Sequence, residues 1–185
     1  PMFHAMGWGI PWSALMLGCK QVMPHRFMDP SRLMDLIVSE GVTLSAGVPT
    51  IWQGIKGLCE AKPEDFDLSN LSRLACGGSS PPPSLIRWYW DTLGVEMIQG
   101  WGMTETSPLA TLSRRVMKRS QLSISEDEQF ENVAKAGQLM PGLELDIFDE
   151  EFNKLPHDGE TVGEILIRGP WICSEYYIHR LPALK

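Results

Sequence analysis

The sequence predicts an α/β fold: a parallel sheet with flanking helices, followed by the start of a β-rich subdomain. Three observations carry this. Short apolar runs at Val42–Ala46, Leu74–Cys76 and Val95–Gln99 alternate with helical segments of roughly ten residues, the pattern of strands joined by crossover helices. Two of these runs lead directly into glycine-rich segments, Gly77-Gly78-Ser79-Ser80 and Gly100-Trp101-Gly102. In such sheets ligands sit beyond the carboxyl ends of the strands. From Leu143 the period changes to two, with Leu143, Leu145 and Ile147 alternating with Glu144, Asp146 and Phe148.

Taken in order, residues 7–18 read as a buried helix broken by Pro11, and Gln21–Met23 as a short strand. Asp29-Pro30 opens a helix: the aspartate caps it and the proline takes the first turn. Leu33, Met34, Leu36 and Ile37 give that helix one apolar face, and Gly41 ends it. Pro49 starts the next helix, through about Glu60. Pro81–Pro83 leads into a third, running to Asp91 and closed by Gly94. Residues 113–135 are polar and charged and read as a surface segment. Beyond them Leu143–Phe148 and Glu164–Arg168, separated by the turn-rich Glu150–Gly159, form a predicted antiparallel hairpin. A boundary near residue 130 divides an α/β subdomain, residues 1–130, from the beginning of a β-rich one, residues 131–185.

Composition excludes several classes. The chain is 43% hydrophobic and 21% charged, a globular balance rather than a disordered one. A net charge of −7 argues against a nucleic-acid surface, which needs a basic patch. The basic cluster Arg114, Arg115, Lys118 and Arg119 is followed by Glu126, Asp127, Glu128 and Glu131, and reads as solvated mixed charge. Cys19, Cys59, Cys76 and Cys173 lack metal or redox spacing, sit among apolar neighbours and read as buried thiols of a reducing, cytoplasmic setting. No apolar run reaches membrane-span length, because His4, Gly7, Gly9, Pro11 and Ser13 interrupt the opening one. Seven tryptophans and ten methionines suit a large core or an apolar pocket.

The strongest chemical signal is QGWGMTETSP, Gln99–Pro108. Gly100 and Gly102 permit close backbone approach to a ligand. Trp101 offers a flat face for a purine, a contact of ~1–3 kcal/mol in nucleic-acid systems. Thr104 can donate to a phosphate oxygen, and Glu105 can hold Mg²⁺, which takes only one or two carboxylates. From spacing alone the run also reads as a tight turn around a core tryptophan. Likewise Gly77, Gly78 and Ser79 also read as an ordinary loop, and His4 as a hydrogen-bonded core histidine.

This run resembles the aromatic-Gly-x-Thr-Glu motif of the adenylate-forming superfamily, which holds acyl-CoA synthetases, luciferases and peptide-synthetase adenylation domains. PMFHAMGW resembles its Pro-x-Phe-His segment, GVPTIW its Val-Pro-Thr helix start, LACGGSSPPPSLI its Gly-Gly-Ser segment, and GEILIRGPWICSEYY its Gly-Glu-x-x-x-x-Gly strand. Within the superfamily the resemblance is strongest to medium- and long-chain fatty acyl-CoA synthetases, over Pro1 to Tyr177. It implies part of the large N-terminal domain of such an enzyme. It also implies a two-step reaction: a carboxylic acid and ATP give acyl-AMP and pyrophosphate, then coenzyme A displaces AMP.

By the same resemblance Thr104 contacts phosphate, Glu105 binds Mg²⁺ and Trp101 lies beside adenine. Gln99, Gly100 and Gly102 belong to that nucleotide motif, and Gly77, Gly78 and Ser79 line the adenine and acyl pocket. His4 stands close to the substrate carboxylate. Trp8, Trp12, Val48, Pro49 and Trp52 are candidate walls of the acyl tunnel, with Trp52 near its entrance. Core packing is the competing reading for each.

The resemblance also shows what this stretch does not contain: the Pro-Lys-Gly phosphate loop, the Thr-Gly-Asp ribose contact and the small domain with the catalytic lysine. Both ends therefore read as cut, IHRLPALK departs from the family's continuation, and the chain alone is expected to be inactive. The enzyme's partners are then small molecules, with a homo-oligomer and peripheral membrane association left open for the full protein. The competing readings are a non-catalytic nucleotide- or acyl-binding remnant, a scaffold that kept only the fold, or another branch such as an aromatic-acid ligase.

Overall fold

The computed structural model describes residues 4–26 and 28–177. Pro1–Phe3 of PMFHAMGW and the IHRLPALK segment lie outside the described residues. The chain divides into two compact units. The first runs to Trp101 and takes in Leu112–Gly137; the second is Gly102–Thr111 with the chain from Gln138 onward.

In the first unit α1 (Ala5–Trp8) and α2 (Ile10–Met16) part at Gly9, not at Pro11. Pro11 lies in the first turn of α2, where a missing N–H costs nothing. The expected burial is not found: Trp12 is 64%, Leu15 68% and Met16 87% exposed. Gln21–Met23 forms no strand, because none of the described strands pairs with it.

Helix α3 (Pro30–Ser39) is capped as predicted, with the Asp29 carboxylate accepting from the Arg32 N–H at 3.1 Å. Strand β1 (Leu44–Gly47) starts two residues after the predicted Val42. The Val42 N–H donates instead to the Ile37 carbonyl at 3.0 Å, closing the end of α3. Helix α4 (Pro49–Ala61), strand β2 (Arg73–Cys76) and helix α5 (Pro83–Leu93) follow, and Gly94 ends α5 at φ +66°.

Strand β3 (Glu96–Gly102) carries straight through the predicted glycine turn. Strands β1, β2 and β3 are parallel neighbours, with Gly47 paired to Cys76 and Cys76 to Gln99. Met34, Trp52, Ile55, Leu74 and Tyr89 are among the buried residues of this core. The Tyr89 hydroxyl donates to the Trp52 carbonyl at 2.8 Å, tying α5 to α4.

The polar stretch 113–135 contains helix α6 (Glu126–Val133). Ser125 and Glu128 form a reciprocal capping box, with distances of 3.2 and 3.1 Å. The helix buries Phe130 and Val133 against the core. The neighbouring basic residues are not simply solvated. The Arg115 guanidinium lies 3.9 Å from the Trp90 ring centroid and pairs with Glu126 at 2.9 Å, and Arg114 grips Glu96 through two nitrogens at 3.0 and 2.6 Å.

The second unit includes the start of β4 (Leu109–Ser113), a strand not predicted, and β5 (Gln138–Leu139). The Met140 N–H donates to the Ala110 carbonyl at 2.9 Å. Strands β6 (Glu144–Phe148) and β7 (Glu164–Arg168) form the predicted antiparallel pair, from Glu144 opposite Arg168 to Phe148 opposite Glu164. The predicted fold class is the one observed, a parallel sheet with flanking helices and then an antiparallel hairpin. No helix of the described residues is long and apolar enough to cross a membrane.

The four cysteines are free, but Cys19 is exposed, Cys59 and Cys173 half-buried, and only Cys76 buried. Burial pushes the Cys76 thiol up to about 12, with the Trp52 indole nearby drawing it slightly down. At pH 8 a thiol of that acidity is about one part in ten thousand thiolate, the reactive form. Iodoacetamide at pH 8 should therefore alkylate Cys19 and spare Cys76 until the chain is unfolded, as peptide mass mapping would read out.

Candidate active site

The predicted site residues fall in both units, and the chain passes from one to the other between Trp101 and Gly102. In the first unit a group forms where β1 and β2 end. The Gly77 N–H donates to the Gly47 carbonyl at 3.3 Å, extending the parallel pairing by one step. Gly78 takes φ +85°, and a Cβ there would sit 3.3 Å from Val48 Cγ1. The loop from β2 thus rests on the residue that opens α4, so Gly78 and Val48 meet. Gly77 is buried, while Gly78 and Ser79 are exposed.

Trp52 belongs to the same corner. Its ring atoms lie 2.9 Å from where a Gly47 Cβ would stand, and the side chain is 2% exposed. Its indole N–H is buried without a hydrogen-bond partner of good geometry among the described residues, the Cys76 thiol being its polar neighbour. Trp52 is thus a core residue in this conformation. Pro49, in the first turn of α4, is half-buried.

Gln99 is 5% exposed. With its amide oriented to satisfy both ends, the nitrogen donates to the carbonyls of Val133 at 2.8 Å and Ala134 at 3.2 Å. Ser80 Oγ donates to the Ala134 carbonyl at 2.7 Å. Gln99 therefore anchors the end of α6 against the sheet. Trp101 is half-buried, held by strand backbone on both sides. His4 is half-buried, and its carbonyl accepts from the Gly7 and Trp8 N–H groups at 2.9 and 2.8 Å, which starts α1 beside β1. Trp8 and Trp12 are 51% and 64% exposed and are not part of the packed core.

In the second unit the chain makes a single 3-10 turn at Thr104–Thr106. Gly102 has to be glycine because a Cβ would lie 1.8 Å from the Pro108 carbonyl oxygen. Thr106, fully buried, fixes the turn from inside: its hydroxyl donates to the Pro108 carbonyl at 2.6 Å and accepts from the Met103 N–H at 2.9 Å. Thr104 is exposed and Glu105 half-buried. The Tyr176 hydroxyl donates to Glu105 Oε1 at 2.7 Å. This bond, aided by the residue's own N–H, holds the Glu105 carboxyl below the usual carboxylate range, so it is ionised at neutral pH. The same bond raises the Tyr176 phenol.

The described residues contain no cluster of three or more His, Cys, Asp or Glu side chains able to hold a metal. A lone ionised carboxylate fits Mg²⁺ arriving with nucleotide phosphates, which supply the remaining oxygens. It does not fit an all-protein cage. Sequence reasoning missed Thr106 and Tyr176. Thr106 was legible as the second threonine of the motif, whereas Tyr176 lies 71 residues from its partner.

Comparison with known proteins agrees with the motifs. A long-chain-fatty-acid–CoA ligase of Thermus thermophilus is 41% identical over 177 residues, covering 96% of this chain and 32% of that protein. A medium-chain-fatty-acid–CoA ligase of Ectopseudomonas oleovorans and a 3-methylmercaptopropionyl-CoA ligase of Ruegeria lacuscaerulensis are each 39% identical over the same shares. The chain thus spans 32% of the length of these relatives. The crystal structure of a long-chain-fatty-acid-CoA ligase from Archaeoglobus fulgidus has a TM-score of 0.75 at 25% identity, over 93% of this chain and 33% of that one. The sequence pattern of the AMP-binding enzymes matches residues 1–177, from the histidine segment to the last tyrosines, and to that family the chain belongs.

Proposed function

We propose that this chain is the acid- and nucleotide-handling part of an AMP-forming fatty acid–CoA ligase. In this reading a fatty carboxylate attacks the α-phosphate of ATP and expels pyrophosphate, and the thiol of coenzyme A then displaces AMP from acyl-AMP. The observation that carries the reading is Glu105, an ionised carboxylate set on a rigid turn directly after the Gly-Trp-Gly strand.

The chemistry brings two anions together, and fixed donors and cations must offset the charge that gathers on the phosphate oxygens. Mg²⁺ bound with ATP supplies such charge neutralisation, and Glu105 is the residue that would hold it. Thr104, exposed beside it, donates to phosphate. Trp101 stacks on adenine. Gly77, Gly78 and Ser79 bring backbone close to the nucleotide, and His4 orients the acyl carboxylate. Val48 and Pro49 line the acyl path with Trp8, while Trp52 backs it from the core.

Fatty acids are favoured because relatives of 41% and 39% identity carry long- and medium-chain names. The isolated chain does not complete the reaction, because the matched segment is 32% of the length of relatives of this kind and about two-thirds of their length lies outside it. Pyrophosphate release measured with octanoate, palmitate, 3-methylmercaptopropionate and benzoate decides the point. The full-length polypeptide carrying this chain should turn over octanoate or palmitate fastest, and the isolated 185-residue chain should release none. Release from the isolated chain, or a preference for benzoate, would overturn the corresponding part of the reading.

A further inference from the structure

We propose that Tyr176 is a positioning residue for Glu105: its hydroxyl fixes the carboxylate in place before Mg²⁺ and nucleotide arrive. The proposal rests on the reading of Glu105 as the Mg²⁺ carboxylate.

Three contacts within the second unit support it. The segment that follows β7 ties itself to the middle of the Thr104–Thr106 turn and to the strand that leaves it. The Trp171 indole N–H donates to the Leu109 carbonyl at 3.2 Å, and the Cys173 N–H donates to the Glu105 carbonyl at 2.9 Å. The Tyr176 hydroxyl then reaches Glu105 Oε1 at 2.7 Å. The first two bonds fix the backbone at Leu109 and at Glu105 itself, and the third fixes the end of the Glu105 side chain. Backbone contacts alone would hold the turn, so the phenol adds something the fold does not require.

What it adds is preorganisation. A glutamate has several torsions, and an exposed one loses that freedom when it binds an ion. A side chain already fixed by a charge-assisted hydrogen bond loses less, and affinity rises by the difference. A carboxylate has about four lone-pair sites. One bond from a phenol therefore leaves capacity for a cation and its water.

The test is calorimetric titration of Mg²⁺ into the full-length polypeptide pre-equilibrated with α,β-methylene ATP, so that no turnover occurs. Tyr176 is 48% exposed, and Tyr176→Phe removes only its oxygen. The variant should bind Mg²⁺ about five- to tenfold more weakly. Its melting temperature and its affinity for the analogue without Mg²⁺ should match the parent, whereas loss of a merely structural tie would move both. In a Glu105→Ala background, Tyr176→Phe should add no further weakening. Unchanged or tighter Mg²⁺ binding in Tyr176→Phe, or an equal loss with and without Glu105, overturns the proposal. If Glu105→Ala alone leaves Mg²⁺ binding intact, the metal role of Glu105 fails, a result separate from the failure of Tyr176.

Discussion

Glu105→Ala in the full-length polypeptide should slow pyrophosphate release by about a hundredfold or more at saturating ATP and fatty acid. The expected loss is large because this turn presents one carboxylate, and the described residues hold no group of three or more His, Cys, Asp or Glu side chains able to hold a metal in its place. Folding should survive. Glu105 is half-buried and its carboxylate meets a single described side chain, Tyr176, while the turn itself is held by Thr106 and backbone. The variant should therefore match the parent in melting temperature and fail in the first half-reaction. Raised Mg²⁺ should restore part of the rate if the loss is one of ion affinity. A variant that keeps the parental rate and Mg²⁺ dependence would remove Glu105 from the chemistry.

Gly102→Ala should have the largest effect on stability, upwards of ~3 kcal/mol. The added methyl would start 1.8 Å from the Pro108 carbonyl oxygen and 2.9 Å from the Thr106 hydroxyl. Both are parts of the turn rather than the ends of flexible side chains, so relief means moving backbone. That movement also breaks the hydrogen bonds of Thr106 and shifts Thr104 and Glu105. Gly57→Ala is the matched control. Gly57 lies inside α4 and a Cβ there meets nothing within 4 Å, so alanine should stabilise by about 0.5–1 kcal/mol through helix propensity. Urea unfolding midpoints of the two variants should move in opposite directions. Similar midpoints would show that the sheet accommodates a side chain at 102.

Much of the helical framework was legible because its punctuation is local. Asp29-Pro30 and Pro49 start helices, and Gly41 and Gly94 end them at positive φ. The hairpin of β6 and β7 was readable from its alternation. Helix α6 was hidden by its charge, although Ser125 and Glu128 spell a capping box; the signal was present and composition outweighed it. The glycines at 100 and 102 were read as a turn. At 102 the requirement is steric: the turn that follows brings Pro108 and Thr106 back to where a Cβ would stand, and a sequence does not distinguish this from a glycine needed for its backbone angles.

At the candidate site, the motif placed Thr104 and Glu105 together on one exposed turn. It did not separate residues that face a ligand from those that hold the fold. Gln99 spends its amide on the carbonyls ending α6, and Trp52 packs in the core. Such roles depend on partners distant in the chain, as the Tyr176–Glu105 pair does across 71 residues. Cys19 was read as buried because its neighbours are apolar, yet residues 15–20 are all exposed.

Because β3 continues through Trp101, the indole hangs from backbone that is already laced to other strands. A flat aromatic guest meeting it would find a shelf whose backbone has little disorder left to surrender, so most of the entropic toll of the encounter falls on the guest. An equivalent ring on a free loop would first have to stop wandering, and would grip the same guest less tightly for the same area of contact.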